Sequence, residues 1–184
     1  MLEEIQNILK SSIDDNLIIE ADESSSPPTI VVQKENLLAI ASLLYKHEQL
    51  YFDMLSCITG IDNGAESESM EVIYNFFSIP FERSLMVKVI LEREGKLEVP
   101  SLVEIWKTAD WQEREVYDLF GIHFRNHPDM RRILMPADWE GHPLRKDYED
   151  PEKYRGMNVI YDRDEKSQTF ENEVLNTKSQ TTKS

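Results

Sequence analysis

Carboxylate and imidazole side chains concentrate between residues 113 and 127, where a hydrolase could hold a general acid and a general base. The members of this group are Glu113, Glu115, Asp118, His123 and His127. On a helix, Arg114 and Asp118 would lie four residues apart, which is the spacing of ordinary surface ion pairs. Trp111 and Glu115 share that spacing. The pattern therefore favours structural ion pairing or contact with a partner protein over acid–base catalysis.

The two histidines of this group would share one face of a helix, as a pair of metal ligands does, because His123 and His127 are four residues apart. Gly121 is expected to end the preceding helix, however, and Pro128 follows directly after His127. Helical geometry is therefore not expected across the pair. We predict that both histidines form hydrogen bonds or contact a partner, and that they bind no metal.

The single cysteine, Cys57, lies within a strand-like pattern and is expected to be a small buried side chain. One cysteine excludes an internal disulfide and any cysteine-ligated iron–sulfur cluster built by this chain alone. The sequence also contains no G-x-G-x-x-G, no G-x-x-x-x-G-K-[ST] and no H-E-x-x-H motif. The chain is therefore expected to hold no cofactor and to contain no catalytic residues.

The segment after Gly121 combines guanidinium and aromatic side chains with no regular periodicity. Prolines interrupt it at positions 128, 136 and 143. Its aromatic and arginine residues are Phe124, Trp139, Tyr148, Arg125, Arg131, Arg132 and Arg145. Protein interfaces concentrate these residue types, because arginine offers a planar fork and aromatic rings bury area at low entropic cost. We predict an arm that docks on a partner protein; an arm wrapped over its own domain is the alternative.

Hydrophobic periodicity predicts the elements that position these residues. Helices are expected at residues 3–10, 35–46 and 111–120, with a further helix start at 99–101 and one or two turns at 102–106. Strands are expected at residues 16–21, 29–33, 51–59, 70–79 and 84–93. The first two strands form a hairpin across residues 24–28, and the last three form an antiparallel meander with a turn at 60–64.

This order of elements predicts an α+β fold at residues 1–120, with a mainly antiparallel sheet and helices packed on one face. A long irregular arm follows at residues 121–166. The polar remainder, residues 167–184, is expected to be disordered.

The charge of the chain is acidic and unevenly distributed. The formal net charge is −15, which opposes binding to nucleic acids and anionic lipid headgroups. Between residues 111 and 148, however, seven acidic residues stand against six basic ones. The longest nearly apolar run, residues 37–45, is too short for a bilayer span, which needs about 20 residues. Attachment to a membrane is therefore expected only through partner proteins.

The segment EREVYDLFGIHFRNHPDMRRIL, residues 113–134, closely resembles the conserved motif of the C subunit of NADH–quinone oxidoreductase, which belongs to the peripheral arm of respiratory complex I. The matching positions are Glu113, Arg114, Glu115, Asp118, His127, Arg131, Ile133 and Leu134. The continuation PADWEGHPLRKDY, residues 136–148, is similar to that family as well. The order of elements before the motif also resembles the small α+β domain of the family.

The resemblance implies membership of an enzyme that passes electrons from NADH through FMN and iron–sulfur clusters to quinone and translocates protons. It also implies that the chain binds none of those cofactors, that it contacts the quinone-site D subunit and the cluster-bearing B and I subunits, and that it lies peripherally on the cytoplasmic side of the cell membrane. The residues expected to form the family motif and partner interface are Glu113, Arg114, Glu115, Asp118, His127, Arg131, Arg132, Trp139, His142, Arg145, Lys146 and Asp147.

Three alternatives stay open at the level of the sequence. The chain could serve the same scaffold role in a relative of complex I that takes electrons from ferredoxin or coenzyme F420, or in a membrane-bound hydrogenase. It could be a freestanding enzyme that uses the acidic and histidine cluster. It could also be a soluble interaction module unrelated to respiration.

Overall fold

The computed structural model describes residues 2–13 and 17–159 and arranges five strands in one sheet in the order β1-β2-β5-β4-β3. The sheet strands are β1 (Ile18–Asp22), β2 (Thr29–Val32), β3 (Met54–Asp62), β4 (Ser69–Ser78) and β5 (Arg83–Glu92). The helices are α1 (Leu2–Ser12), α2 (Leu37–Lys46) and α3 (Ala109–Phe120). Four short strands complete the described elements: β6 (Glu98–Pro100), β7 (His123–Arg125), β8 (Lys153–Tyr154) and β9 (Met157–Asn158).

The sheet is mainly antiparallel, which confirms the predicted α+β class. Strands β1 and β2 form the expected hairpin, and β3, β4 and β5 form the expected meander. The central β2–β5 pair is parallel, which local patterns do not indicate. It arises because the chain crosses through α2 to the far edge of the sheet before the meander returns to β2.

One face of the sheet forms the core. Alternate residues of β5 are buried, as its period-two pattern predicts; they are Leu85, Val87, Val89 and Leu91. The helices close over this face and contribute fully buried side chains, among them Ile5 and Leu9 of α1 and Ile40 and Leu44 of α2. The opposite face carries the polar and half-exposed residues of the same strands.

Cys57 is exposed, so the prediction that it is buried is wrong. The cause is a β-bulge, since the register of β3 against β4 shifts between Leu55 and Cys57. One extra residue reverses which side chains face the core, and Ile58 is buried in place of Cys57. The strand also runs to Asp62 rather than ending at residue 59, so the turn falls later than predicted.

The start of α3 covers the open edge of β3. The Gln112 side chain accepts a hydrogen bond from the Ile58 backbone N–H at 2.6 Å. The Thr108 hydroxyl donates to the Leu55 carbonyl at 3.1 Å. At the other end of the helix the Phe120 ring lies against Gly60, where an added Cβ would stand 2.7 Å from the ring. Side chains thus satisfy an edge that would otherwise be open, and the same contacts fix the position of α3.

The helix start predicted at residues 99–101 is wrong, whereas the turn predicted at residues 102–106 is confirmed. Glu98–Pro100 forms β6, which pairs in parallel with β7, and a single turn follows from Leu102 to Trp106. The segment predicted to be irregular therefore contains regular structure, β7 directly after Gly121 and β8 and β9 further on, and the Phe124 side chain is fully buried. The pairing partner of β7 lies about 25 residues away in sequence, beyond the reach of a local pattern.

The chain divides into a compact unit, Met1–Tyr148, and a second unit, Glu149–Ser184. The segment from Gly121 to Tyr148, predicted as an arm, is part of the first unit. In the second unit the described residues include the β8–β9 hairpin, whose turn contains Arg155 and Gly156 at positive φ. Residues 167–184 lie outside the described residues, and their disorder stays a prediction.

The exposed thiol of Cys57 should react with a maleimide at the native protein's surface. Labelling of the folded full-length chain is expected to go to completion at the rate of a free thiol, with no denaturant present. Cys57→Ser should change the free energy of unfolding by less than about 0.5 kcal/mol, because the side chain packs against no core. Labelling that required urea would contradict the bulged register.

Candidate functional site

Helix α3 is the element around which the predicted site residues are arranged. It ends at Gly121, which adopts a left-handed conformation with φ of 76° and donates its N–H to the Tyr117 carbonyl at 2.9 Å. The predicted helix and its glycine terminus are therefore confirmed. Two of its acidic side chains, Glu113 and Asp118, are completely buried, and this was not predicted.

The Asp118 carboxylate is enclosed by backbone donors from the segment that follows the helix. Its Oδ2 accepts hydrogen bonds from three consecutive N–H groups, those of Ile133, Leu134 and Met135, at 3.0, 2.7 and 2.8 Å. Its Oδ1 accepts a hydrogen bond from Arg132 at 2.8 Å. Successive N–H groups that converge in this way form an anion-binding nest, here occupied by the chain's own carboxylate.

Burial by itself raises the pKa of Asp118, but the donors outweigh it. The N–H groups of residues 133–135 and the Arg132 guanidinium together hold the pKa of Asp118 below its ordinary value of 3.8. The carboxylate is therefore ionised at neutral pH and fully hydrogen-bonded. Sequence spacing suggested Arg114 as its partner, and that pairing is wrong.

The same segment caps the C-terminal end of α3, where the last carbonyls of a helix have no partner within it. The Asp118 carbonyl accepts a hydrogen bond from His142 Nδ1 at 2.9 Å. The Leu119 carbonyl accepts from the Leu144 N–H at 3.0 Å, and the Phe120 carbonyl accepts from Arg145 Nε at 2.6 Å. The Tyr117 carbonyl accepts from the Gly121 N–H, so each of the last four carbonyls of α3 has a hydrogen-bond donor. The nearby guanidinium groups also complement the negative end of the helix dipole.

His142 and Arg132 connect residues 132–135 and residues 141–142 to the end of α3. Burial, followed by the charges of Arg145 and Arg132, lowers the pKa of His142 below its ordinary value of 6.5, so the ring is neutral at pH 7. A carbonyl can only accept, so the Nδ1–H tautomer donates to Asp118. Arg132 also donates to the Gly141 carbonyl at 2.7 Å.

A second buried carboxylate, Asp62 at the end of β3, holds the far end of the segment. It accepts two hydrogen bonds from Arg93, at 3.0 and 3.2 Å, and one from the Lys146 backbone N–H at 2.8 Å. Hydrogen bonding by Arg93 keeps the pKa of Asp62 well below its usual range. Arg93 also binds the Asp147 carboxylate. Sequence reasoning missed Asp62 and Arg93, because 84 residues separate Asp62 from Lys146.

We name residues 121–148 the anchored arm, because Asp118 and Asp62 hold it at two points. Among its predicted interface residues, the two anchors bring together Arg132, His142, Arg145, Lys146 and Asp147. The Trp139 indole donates to the Tyr148 hydroxyl at 2.9 Å, which closes the loop between the two anchors. The arm therefore lies on its own domain, as the alternative interpretation of the sequence held.

Other predicted residues lie on the solvent side of α3. Glu115 is exposed, and the Arg114 guanidinium lies 5.4 Å from the centroid of the exposed Trp111 ring. Arg114 Nε donates to the Arg131 carbonyl at 3.2 Å, and the exposed Arg131 side chain pairs with Asp129. These residues form a surface of guanidinium groups and one indole rather than an acid–base site.

The two histidines have different surroundings. The His127 side chain is buried, with Nε2 lying 3.1 Å from the Asp110 carbonyl, and its Nδ1 accepts a hydrogen bond from the Asp129 N–H. His123 is exposed beside the Tyr117 ring. Within residues 2–13 and 17–159 no group of three or more His, Cys, Asp or Glu side chains is arranged to hold a metal ion.

Glu113 forms a separate buried site. Its two carboxylate oxygens accept hydrogen bonds from the Ser101 hydroxyl at 2.6 Å and the Leu102 N–H at 2.7 Å. Burial outweighs these donors and raises the pKa of Glu113 to about 7. The charge of Glu113 adds to burial in raising the pKa of Tyr74, whose buried hydroxyl has no hydrogen-bond partner in the described part of the chain. Glu113 thus ties α3 to the loop after β6.

The fold and the anchored arm define a class of protein: a small α+β domain that uses two buried carboxylates to hold an arginine-rich arm on its own surface. The family model for the 30 kDa subunit of respiratory-chain NADH dehydrogenase matches residues 30–154. The chain is 48% identical over 124 residues to the NADH-quinone oxidoreductase C subunit of Chloroherpeton thalassium, and 41% identical over 143 residues to that of Geotalea uraniireducens. These matches cover 67% and 76% of the chain, respectively. The chain belongs to this family.

The matched region spans 50% of the Chloroherpeton relative and 85% of the Geotalea relative. Among solved structures, the chain resembles the trypsin-resistant fragment of Nqo5, with a TM-score of 0.52, 26% identity and coverage of 70% of this chain and 95% of the fragment. It also shares its fold with a chain of an archaeal membrane-bound sulfane sulfur reductase, with a TM-score of 0.66, 22% identity and coverage of 80% of this chain and 85% of that chain.

Asp118→Asn should destabilise the protein by roughly 3 kcal/mol. The substitution removes the negative charge that accepts hydrogen bonds from Arg132 and from the three converging N–H groups. Asp129→Asn is the matched control, since it alters an exposed pair with Arg131 and should cost less than about 0.5 kcal/mol. Urea unfolding of the full chain measures both. Equal losses for the two variants would contradict the anchoring role of Asp118.

The contribution of Glu113 to the free energy of unfolding should fall as pH rises from about 4.5 to 7, because Glu113 ionises at its ordinary pKa in the unfolded chain and only near pH 7 in the folded one. The loss amounts to at most roughly 3 kcal/mol. Glu113→Gln removes this dependence, so its stability relative to the wild type should increase across that window. Urea unfolding at several pH values tests this, and parallel profiles for the two proteins would refute it.

Proposed function

We propose that the chain is a structural and docking component of the peripheral arm of the proton-translocating NADH–quinone oxidoreductase. The observation that carries the proposal is the anchored arm, whose shape is fixed by Asp118 and Asp62 within the chain itself. An arm already folded before it meets a partner loses less conformational entropy on binding than a free segment does. Family membership supports the identity of the assembly.

The side chains that the anchors leave exposed suit a protein interface. Arg131 is 72% exposed along its side chain, and Trp111 is 66% exposed. Leu134 and Leu144 are exposed on the arm itself. Guanidinium, indole and leucine side chains held on a rigid base are what an interface uses as anchors.

The proposed partners are the quinone-site D subunit and the cluster-bearing B and I subunits, and the chain's role is to hold them in fixed relation. Electron transfer between clusters depends steeply on distance, so a rigid scaffold supports turnover without taking part in the chemistry. FMN and the iron–sulfur clusters are proposed to reside in partner subunits. A single cysteine supports this division, because a cluster needs several thiolates.

The proposed location is peripheral, on the cytoplasmic side of the cell membrane. In the described part of the chain no helix is both long enough and apolar enough to span a bilayer. Contact with the membrane is therefore proposed to run through partner subunits. A freestanding hydrolase is disfavoured, because Glu113, Asp118 and His127 are all engaged in hydrogen bonds to the chain's own backbone.

Arg131→Ala or Trp139→Ala should reduce the yield of assembled complex several-fold while leaving NADH–quinone turnover per assembled complex unchanged. The measurement is isolation of the tagged chain from membranes in mild detergent, with quantification of the co-isolated subunits and of turnover per FMN. Identification of those subunits also separates this assembly from one fed by ferredoxin or coenzyme F420, or from a hydrogenase. Normal yield with lowered turnover would overturn the scaffold role.

A further inference from the structure

An apolar surface distant in sequence from the anchored arm lies at one end of the sheet, where β3 begins and β4 turns into β5. We name it the tip patch, and it consists of Tyr51, Met54, Phe77, Ile79 and Phe81. Ile79 is 58% exposed, and three of the others are exposed by 40 to 43%. Met54 and Phe77 lie on the open face of the sheet, and the Tyr51 ring stacks on Tyr45 of α2. Isolated apolar side chains on a surface are ordinary, but a group of them around one end of a sheet indicates a binding surface.

Backbone contacts hold together the segments that carry the tip patch. Met54 and Phe77 are direct partners across β3 and β4. The Ser78 hydroxyl donates to the Tyr51 carbonyl at 2.7 Å, and the Ile79 N–H donates to Asp53 Oδ1 at 2.9 Å. The segments that carry the patch are thus held together by hydrogen bonds and cannot separate to bury their side chains elsewhere.

One residue of the tip patch and one of its neighbours have positive φ angles. Tyr51 has φ of 34°, and Glu82, next to Phe81, has φ of 51°. L residues with bulky side chains rarely adopt this left-handed region. Such positions persist where the surrounding structure holds them and are concentrated at binding surfaces.

Carboxylates border the tip patch and identify its partner. Asp53 and Glu82 adjoin patch residues in the chain, and Glu48 lies three residues before Tyr51. Within the described residues neither Glu48 nor Glu82 forms an ion pair. The adjacent Arg83 is paired with Glu4 at 3.1 Å and lies over the Phe81 ring, so its charge is compensated. A ligand for this surface needs apolar groups flanked by positive charge.

We propose that the tip patch docks a basic, apolar segment of another protein of the assembly, with Lys or Arg residues flanking the side chains that it buries. An anionic membrane would bring phosphates against the three carboxylates. A second copy of the chain in a two-fold contact would bring the same carboxylates against each other. The tip patch is separate from the anchored arm, and the inference rests on the proposed function only in assuming that the chain works within a larger assembly.

The test uses the complex isolated through a tag on one of the other proteins of the assembly, from membranes of cells that produce wild-type or variant chain. The double variant Ile79→Ser/Phe81→Ser should lower the amount of chain per complex at least fivefold. The control Ile19→Ser/Ile90→Ser removes side chains of similar exposure elsewhere and should match the wild type. Urea unfolding of both variants establishes that each still folds.

A second set of variants replaces the carboxylates that border the tip patch. Glu48→Lys/Glu82→Lys should also lower incorporation, and more strongly at low salt than at high salt, because the new charges repel the basic segment. Glu20→Lys/Glu66→Lys makes the same change in net charge at exposed positions away from the patch, and should have no effect.

Wild-type incorporation of the Ile79/Phe81 variant would overturn the proposal. So would equal effects of the two Lys pairs, because the charge would then act without regard to position. Binding of the wild-type chain to phosphatidylglycerol vesicles, lost in the Ile79/Phe81 variant, would identify a membrane surface instead. If Arg131→Ala, Trp139→Ala and the tip variant all assemble normally, the proposed function itself fails; if only the tip variant does, the further inference alone fails.

Discussion

The buried carboxylate of Asp118 is the interaction on which the C-terminal part of the compact unit depends. One side chain receives three consecutive backbone N–H groups and a guanidinium. This carboxylate holds residues 132–135 against α3. The prolines and the lack of periodicity mean that regular secondary structure does not position this segment. The donors in turn make the buried charge tolerable, since an ionised group without partners is expensive to remove from water.

A polar anchor of this kind suits a segment that must be well placed while its apolar and guanidinium groups stay outside. A hydrophobic core would bury the very side chains that an interface needs. Asp118 and Asp62 instead hold backbone atoms, and they leave Arg131, Leu134 and Leu144 at the surface. The arm is thus part of its own domain and also available to partners, so the two interpretations of the sequence are not exclusive.

Much of the fold could be predicted because it depends on short-range patterns. The alternation in β5, the helix predicted at residues 35–46 and the glycine after α3 each reflect a local rule, and each is confirmed. The predictions that failed concern relations that spacing cannot reveal. A single-residue bulge turned Cys57 outward, and the i, i+4 rule paired Arg114 with Asp118, although that carboxylate points into the chain and binds Arg132.

The sequence by itself determined the α+β class, the family and the absence of a thiolate set for a redox centre, because periodicity, motif and composition are properties of residue type and order. Only the tertiary structure decided which acidic residues are buried, that β2 and β5 run in parallel, and that Asp62 holds a segment 84 residues further along. The physical reason is that burial and hydrogen bonding depend on which atoms meet in space. Residues distant in sequence meet only when the whole domain has closed.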